Sequence, residues 1–397
     1  MTGRRGGSLS RRDFLVRAGA FGAAGLVLPS VLDACAQYSG GSVTDKHLSF
    51  DNWPAYIDDA TVGDFNKASG YDLKYTEGFN DNNEYFAKIV PSLARKKLVQ
   101  PDILAPTFWM TARMINLGWV QPLPLDRMPN ARKYLRKDLR DPVWDPTGRY
   151  SLPWQTGMTG IAYNKKVTGG KLTSIHDLLD KRFRGKVSVL TEMRDTIGLL
   201  LMGEGKKPSE ITSFDDASGA FETLDKAKKD GQIRAFTGNE YLSGLSTGNY
   251  AVCVAWSGDI LQIQQDSPNV EFLIPEEGGM SWADTMVWMK GSKRRDAVAA
   301  WMNWCYDPEH AAQITDYVQY VPPVEGVQDV IRANGETMMK AAKSKADKEA
   351  AQAEIDLSSN PLLFPDAATT AKLQAFNSLA PEVEQEFSVA FSKIAGA

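Results

Sequence analysis

Glu276-Glu277-Gly278-Gly279-Met280-Ser281-Trp282-Ala283-Asp284 joins an apolar run at 270–274 to a second at 285–289. The two glycines accept backbone angles that other residues avoid. One large aromatic and one carboxylate follow, two residues apart. On an extended segment such residues point to the same face. Trp282 and Asp284 then present a flat apolar wall with an anion beside it, a pairing suited to an organic cation. Taken alone, the stretch reads more simply as an edge strand with a core Trp and a solvated Asp. The rest of the chain decides between the two.

Outward from this stretch, short apolar runs alternate with amphipathic ones. Before it, Leu48 and Phe50 alternate as in a strand. Val62, Phe65 and Ala68 have helical spacing and stop at Gly70. Residues 71–75 read as a strand, 82–97 as a helix kinked at Pro91, 102–105 as a strand and 110–117 as a helix. A second block begins near Leu152. It has strands at 161–163, 187–190, 233–236 and 250–256, and helices at 174–181, 195–202, 214–230, 241–247 and 258–265. After the opening stretch, 294–305, 308–317, 336–352 and 382–394 read as helices. Strands alternating with helices predict an α/β architecture of mostly parallel sheets. The chain is expected to cross between the two blocks near 151–156 and again near 278–281, so that two lobes form a clamp able to close on a ligand. The expected division is 46–152 plus 282–325 for the first lobe, and 156–280 plus 326–397 for the second.

At 397 residues the chain is long enough for two such lobes. Residues 1–34 carry five Arg and two Asp, a net of +3, so the remainder stands at −7 from a total of −4. A mildly acidic body argues against nucleic acid. Three Cys and three His, scattered, argue against a zinc cluster. Cys253 and Cys305 read as small buried apolar residues. Neither a nucleophile–base set nor a Gly-rich phosphate loop is visible, so neither an enzyme nor a cofactor is expected.

The first segment reads as an address. Ser10-Arg11-Arg12-Asp13-Phe14-Leu15 has the form of a twin-arginine export signal. The apolar stretch after it ends in Leu32-Asp33-Ala34-Cys35, the form of a lipoprotein cleavage box. In that reading Cys35 carries a lipid and residues 35–45 tether the body to the outer face of the cytoplasmic membrane.

Aromatics and acids recur just past strands: Asn52-Trp53-Pro54-Ala55-Tyr56-Ile57, Pro106-Thr107-Phe108-Trp109, Leu190-Thr191-Glu192-Met193-Arg194-Asp195, Trp256-Ser257-Gly258-Asp259, Trp282-Ala283-Asp284 and Tyr320-Val321-Pro322-Pro323. Taken in this order over about residues 46–326, they resemble the polyamine-binding proteins of bacterial spermidine/putrescine ABC importers. The resemblance implies a two-lobed periplasmic-binding-protein (type II) clamp, a polyamine as ligand and an ABC permease as partner. It implies that Trp53, Tyr56, Trp109, Trp256, Trp282 and Tyr320 wall the polymethylene chain. Thr107 would offer a hydroxyl, Asp284, Asp259 and Asp195 would receive ammonium groups, and Glu192 would support Asp195. Pro54-Ala55 departs from the family, which usually has a hydroxyl there. That departure keeps open a receptor for another organic solute, with an exported cofactor enzyme as the more distant alternative.

Overall fold

The computed structural model describes residues 46–95, 101–264 and 266–396. The expected signal segment and the whole of the tether, Cys35 included, lie outside these residues. Eleven strands are present among them: β1 (His47–Asn52), β2 (Asp72–Glu77), β3 (Ile103–Leu104), β4 (Val120–Gln121), β5 (Ser151–Asn164), β6 (Val187–Leu190), β7 (Ile233–Thr237), β8 (Val252–Trp256), β9 (Val270–Leu273), β10 (Gly279–Met289) and β11 (Leu373–Gln374). The longer helices are α1 (Asp59–Ser69), α2 (Asn82–Ala94), α3 (Phe108–Asn116), α4 (Met193–Gly203), α5 (Phe214–Lys229), α6 (Tyr241–Thr247), α7 (Ser257–Gln264), α8 (Arg295–Cys305), α9 (Pro308–Val318), α10 (Val327–Ala341), α11 (Lys345–Leu357) and α12 (Pro381–Ala395).

Mostly parallel sheets were expected. The strands instead form one sheet in the order β2-β1-β3-β10-β5-β8-β6-β7, with β4 and β11 on β10 and β9 on β5. Parallel trios, β2-β1-β3 and β8-β6-β7, flank an antiparallel pair, β10 and β5. That pair is the seam between the lobes. The fourteen residues of β5 are buried throughout. At one end Leu152 and Trp154 join a core with Phe50, Ile103 and Trp301. At the other, Ile161 joins a core with Val189, Ile197 and Leu201. In β10, Met280 packs on Gly198 of α4, whereas the Thr285 hydroxyl bonds Thr111 of α3 at 2.6 Å. Both strands therefore change lobes deeper than expected, near 155–159 and 281–283. A strand that continues unbroken through both cores carries no turn residues to mark the change.

The placement of residues 326–397 also differs from expectation. Val327 and Ile331 of α10 are fully buried in the first lobe's core. Residues 336–352 are not one helix, because Ser344 and Asp347 form a capping box that starts α11 afresh. The chain passes to the second lobe near 362–364, where Phe364 packs on the first core and Leu362 on the other. Beyond that point α12 packs by Phe387 against Phe214 and Phe221 of α5.

The second core does not stop at the seam. It runs from Phe86 and Phe108 of the first lobe, through Trp109, into α4 and α5. The lobes are closed on each other, and the strand-end residues meet between them.

Candidate functional site

Each trio delivers its side chains from the carboxyl ends of its strands, where the chain turns out of the sheet toward the opposing lobe. From the first lobe, β1 runs into Trp53 and Tyr56, and β3 into Thr107 and Trp109. The turn between Trp53 and Tyr56 is tight: Ala55 has φ +52°, and its amide donates to Glu77 Oε1 at 2.7 Å. Non-glycine residues adopt that region at a cost. The positions that depart from the family pattern thus shape the loop that aims Tyr56.

Asp284 is the focus of this half. Its carboxylate accepts from the Tyr56 hydroxyl at 2.9 Å and from Thr107 Oγ1 at 2.7 Å, and it is 8% exposed. Thr107 is itself held by Asn82, whose amide donates to the hydroxyl at 2.9 Å and accepts from the Thr107 amide at 3.1 Å. Trp282 shares the face of Asp284 and packs edge-on against Tyr320, with ring centroids 5.3 Å apart. Tyr320 meets Tyr56 in the same way at 5.8 Å. Two glycines make room. A Cβ on Gly157 would lie 2.2 Å from the Trp282 ring, and one on Gly258 would lie 2.5 Å from the Tyr320 ring.

From the second lobe, Glu192 caps α4 by accepting from the Arg194 amide, and Asp195 follows one turn on. Asp195 is 5% exposed and accepts from the Trp256 indole at 2.7 Å. Burial pushes its pKa up to about 6, and the nearby Asp284 charge adds to the rise; Trp256, Thr159 and Arg194 oppose it. The Glu192 side chain keeps 28% exposure. The surrounding protein nonetheless raises its pKa to about 7, mainly by desolvation, with Asp195 adding repulsion and Arg194 offsetting it. Two buried acids that charge with difficulty in one cleft mark a candidate functional site.

Asp259 stands apart. It is fully buried, and its two oxygens accept from Tyr320 at 2.6 Å, Tyr241 at 2.9 Å and Asn239. These bonds tie it to Tyr320 and to Tyr241 of α6. Trp53 also has an internal partner, the Ala105 carbonyl at 2.8 Å. Trp109 lies under the Arg194 guanidinium, 4.0 Å from its ring centroid.

The structure thus joins Tyr56, Thr107, Trp282, Asp284, Tyr320 and Asp259 in one network. It joins Glu192, Asp195, Trp256 and Trp109 around Arg194. Sequence reasoning missed Asn82, Asn239, Tyr241 and Arg194. Asn239 and Tyr241 follow β7 directly, so the strand-end rule applied to that strand would have found them. Nothing in the sequence marks Asn82. Among the described residues, no cluster of His, Cys, Asp or Glu could hold a metal, and no helix is long and apolar enough to cross a membrane.

Residues 60–352 match the family described as bacterial extracellular solute-binding protein. The chain is 26% identical over 368 residues to the putrescine-binding periplasmic protein PotF of Escherichia coli K12, covering 88% of this chain and 91% of that one. It is likewise 26% identical over 369 residues to the putrescine-binding periplasmic protein SpuD of Pseudomonas aeruginosa, covering 88% and 92%. The fold superposes on the spermidine/putrescine ABC transporter substrate-binding protein PotD of Streptococcus pneumoniae with a TM-score of 0.71 at 21% identity, covering 88% of this chain and 98% of that one. A clamp of two α/β lobes hinged on a pair of shared strands is the architecture of such receptors, and the chain belongs to the bacterial extracellular solute-binding protein family.

Proposed function

We propose that this protein is an exported receptor that binds a polyamine, putrescine or spermidine in type, between its lobes and delivers it to an ABC importer. The observation that carries the reading is the pair of buried carboxylates, Asp195 and Asp284, one from each lobe, set among Tyr56, Trp256, Trp282 and Tyr320. A polyamine is a hydrocarbon chain with cations at its ends. Carboxylates receive the ammonium groups, aromatic faces cover the methylenes and add cation–π attraction, and closure excludes water. In this reading the ligand-binding set is Trp53, Tyr56, Thr107, Trp109, Asp195, Trp256, Trp282, Asp284 and Tyr320, with Glu192 in support. Asp259 acts one layer behind, through Tyr320. The names of PotF and SpuD point to the same ligand class. The twin-arginine segment would direct export, and Cys35 would carry the lipid that holds the receptor near its permease. The receptor performs no catalytic step.

A thermal-shift screen of polyamines, amino acids and sugars on the purified exported protein tests the reading. A ligand at about 100 times its Kd stabilises by roughly 2.7 kcal/mol. Melting points that respond to an amino acid or a sugar and to no amine would refute it.

A further inference from the structure

The second lobe places its own cation on an aromatic wall of the first. Arg194 is 4% exposed. Its guanidinium lies over the Trp109 ring at 4.0 Å, with one NH₂ group on the Glu384 carboxylate and the other 3.8 Å from Glu192. Glu384 stands in the first turn of α12, the last helix, and its side chain is 18% exposed. Other cation–ring pairs stay within one lobe: Arg113 on Phe86, Arg182 on Phe183, Arg234 on Tyr250. Among the described residues with such a pairing, Arg194 alone reaches across the cleft.

We infer that Arg194 and Glu384 form an interlobe latch: Glu384 positions the Arg194 guanidinium on Trp109, and the contact holds the closed, ligand-loaded receptor shut. The chemistry favours Arg for this task. A planar guanidinium stacks on an indole and at the same time gives its edge to a carboxylate. The burial favours it as well, since a desolvated cation–π pair is worth more than an exposed one. The tie also gives α12 a function, linking the end of the chain to the mouth of the cleft. A contact that exists only when the lobes are closed stabilises the loaded state without speeding the encounter. It therefore slows ligand release and leaves capture unchanged.

The inference rests on the polyamine reading for its ligand, so the test separates the two. Putrescine binding and release are followed by stopped-flow tryptophan fluorescence on the full exported protein. The variants are Arg194→Gln, Arg194→Lys, Glu384→Gln and Glu384→Asp, with melting points recorded for each. Arg194→Gln is expected to raise koff by about 3- to 30-fold with kon unchanged. Glu384→Gln should shift koff in the same direction, and Glu384→Asp should recover part of the loss. Arg194→Lys keeps the charge without the planar stack and should fall between wild type and Arg194→Gln. Unchanged koff in Arg194→Gln and Glu384→Gln, with wild type binding putrescine, overturns the latch alone. Equal rises in koff across all four variants, with no intermediate value for Arg194→Lys and no recovery in Glu384→Asp, also overturn it, since the planar stack and the placed carboxylate then make no difference. Wild type that binds neither putrescine nor spermidine overturns the polyamine reading and the latch with it.

Discussion

Replacing Asp284 with Asn removes the charge at the meeting point of the lobes while leaving its shape. The carboxylate now accepts from two hydroxyls, Tyr56 and Thr107. Asn offers one oxygen and one NH₂ group, so one of those hydroxyls must turn away or accept instead. Thr107 can reorganise through Asn82, which limits the structural damage. The larger effect falls on the ligand. Losing one member of a buried charge pair costs about 2–5 kcal/mol, and about 1.4 kcal/mol corresponds to a tenfold change in Kd. The lower bound therefore predicts putrescine affinity reduced roughly 30-fold. Tyr56 and Thr107 keep a polar partner, so the ligand-free melting point should move far less than affinity does. Glu277→Gln is the matched control. Glu277 accepts from Ser174 and from the Ile175 amide at 3.1 Å, outside the cleft, and its loss should leave affinity unchanged. Titration calorimetry on both variants decides the matter. Affinity of Asp284→Asn within threefold of wild type would refute the placement of Asp284 as a cation receptor.

Three further outcomes follow from the site. Asp195 and Glu192, with pKa values raised to about 6 and about 7, hold protons in the ligand-free fold that the unfolded chain releases near pH 4. Their contribution to stability is therefore present at low pH and is lost as pH rises through 6 to 7. A bound cation reverses the preference, so putrescine affinity should increase from pH 5 to 7.5 with protons released on binding; calorimetry in two buffers of different ionisation enthalpy measures that release, and Asp195→Asn should diminish it. Asp259→Asn should lower the melting point, because hydrogen bonds to a buried charged group are worth about 1.5–3 kcal/mol; a large affinity loss at an unchanged melting point would instead show that Asp259 meets the ligand directly. Gly157→Ala should displace the Trp282 ring, since its Cβ would sit 2.2 Å away, costing about 1–3 kcal/mol of stability together with much of the binding; crystals of the variant with the ring unmoved would contradict this.

The lobes were legible because period and punctuation agree with packing over most of the chain. Gly70 ends α1 in the left-handed conformation that only glycine adopts cheaply, and Leu48 and Phe50 point to the buried face of β1. What escaped notice has a common physical origin. In β5 and β10 the sequence of a strand inside one core is indistinguishable from that of a strand passing between two, because both sides are buried along β5 and along all but Ser281 and Trp282 of β10. The change of lobe is written only in partners: Trp154 meets Trp301, while Ile161 pairs with Val254 and Leu273. The break between α10 and α11 is different. Ser344-Lys345-Ala346-Asp347 is a capping box that the sequence displays openly, yet the run of Ala and charged residues around it satisfies helical propensity so uniformly that the cap is masked.

The site shows the same limit more sharply. Asp259 and Asp195 look alike in sequence: each lies three to five residues beyond the end of a strand. Only the fold reveals that Asp259 is ringed by Tyr241, Tyr320 and Asn239, whereas Asp195 receives a single indole hydrogen bond from Trp256 and sits near a second acid. A carboxylate whose lone pairs are filled by its own protein is part of the scaffold. One that is buried, near another acid and short of compensating charge has a free energy that a cation can lower. The difference is a count of donors contributed by residues as distant as Tyr320, and no local pattern encodes it.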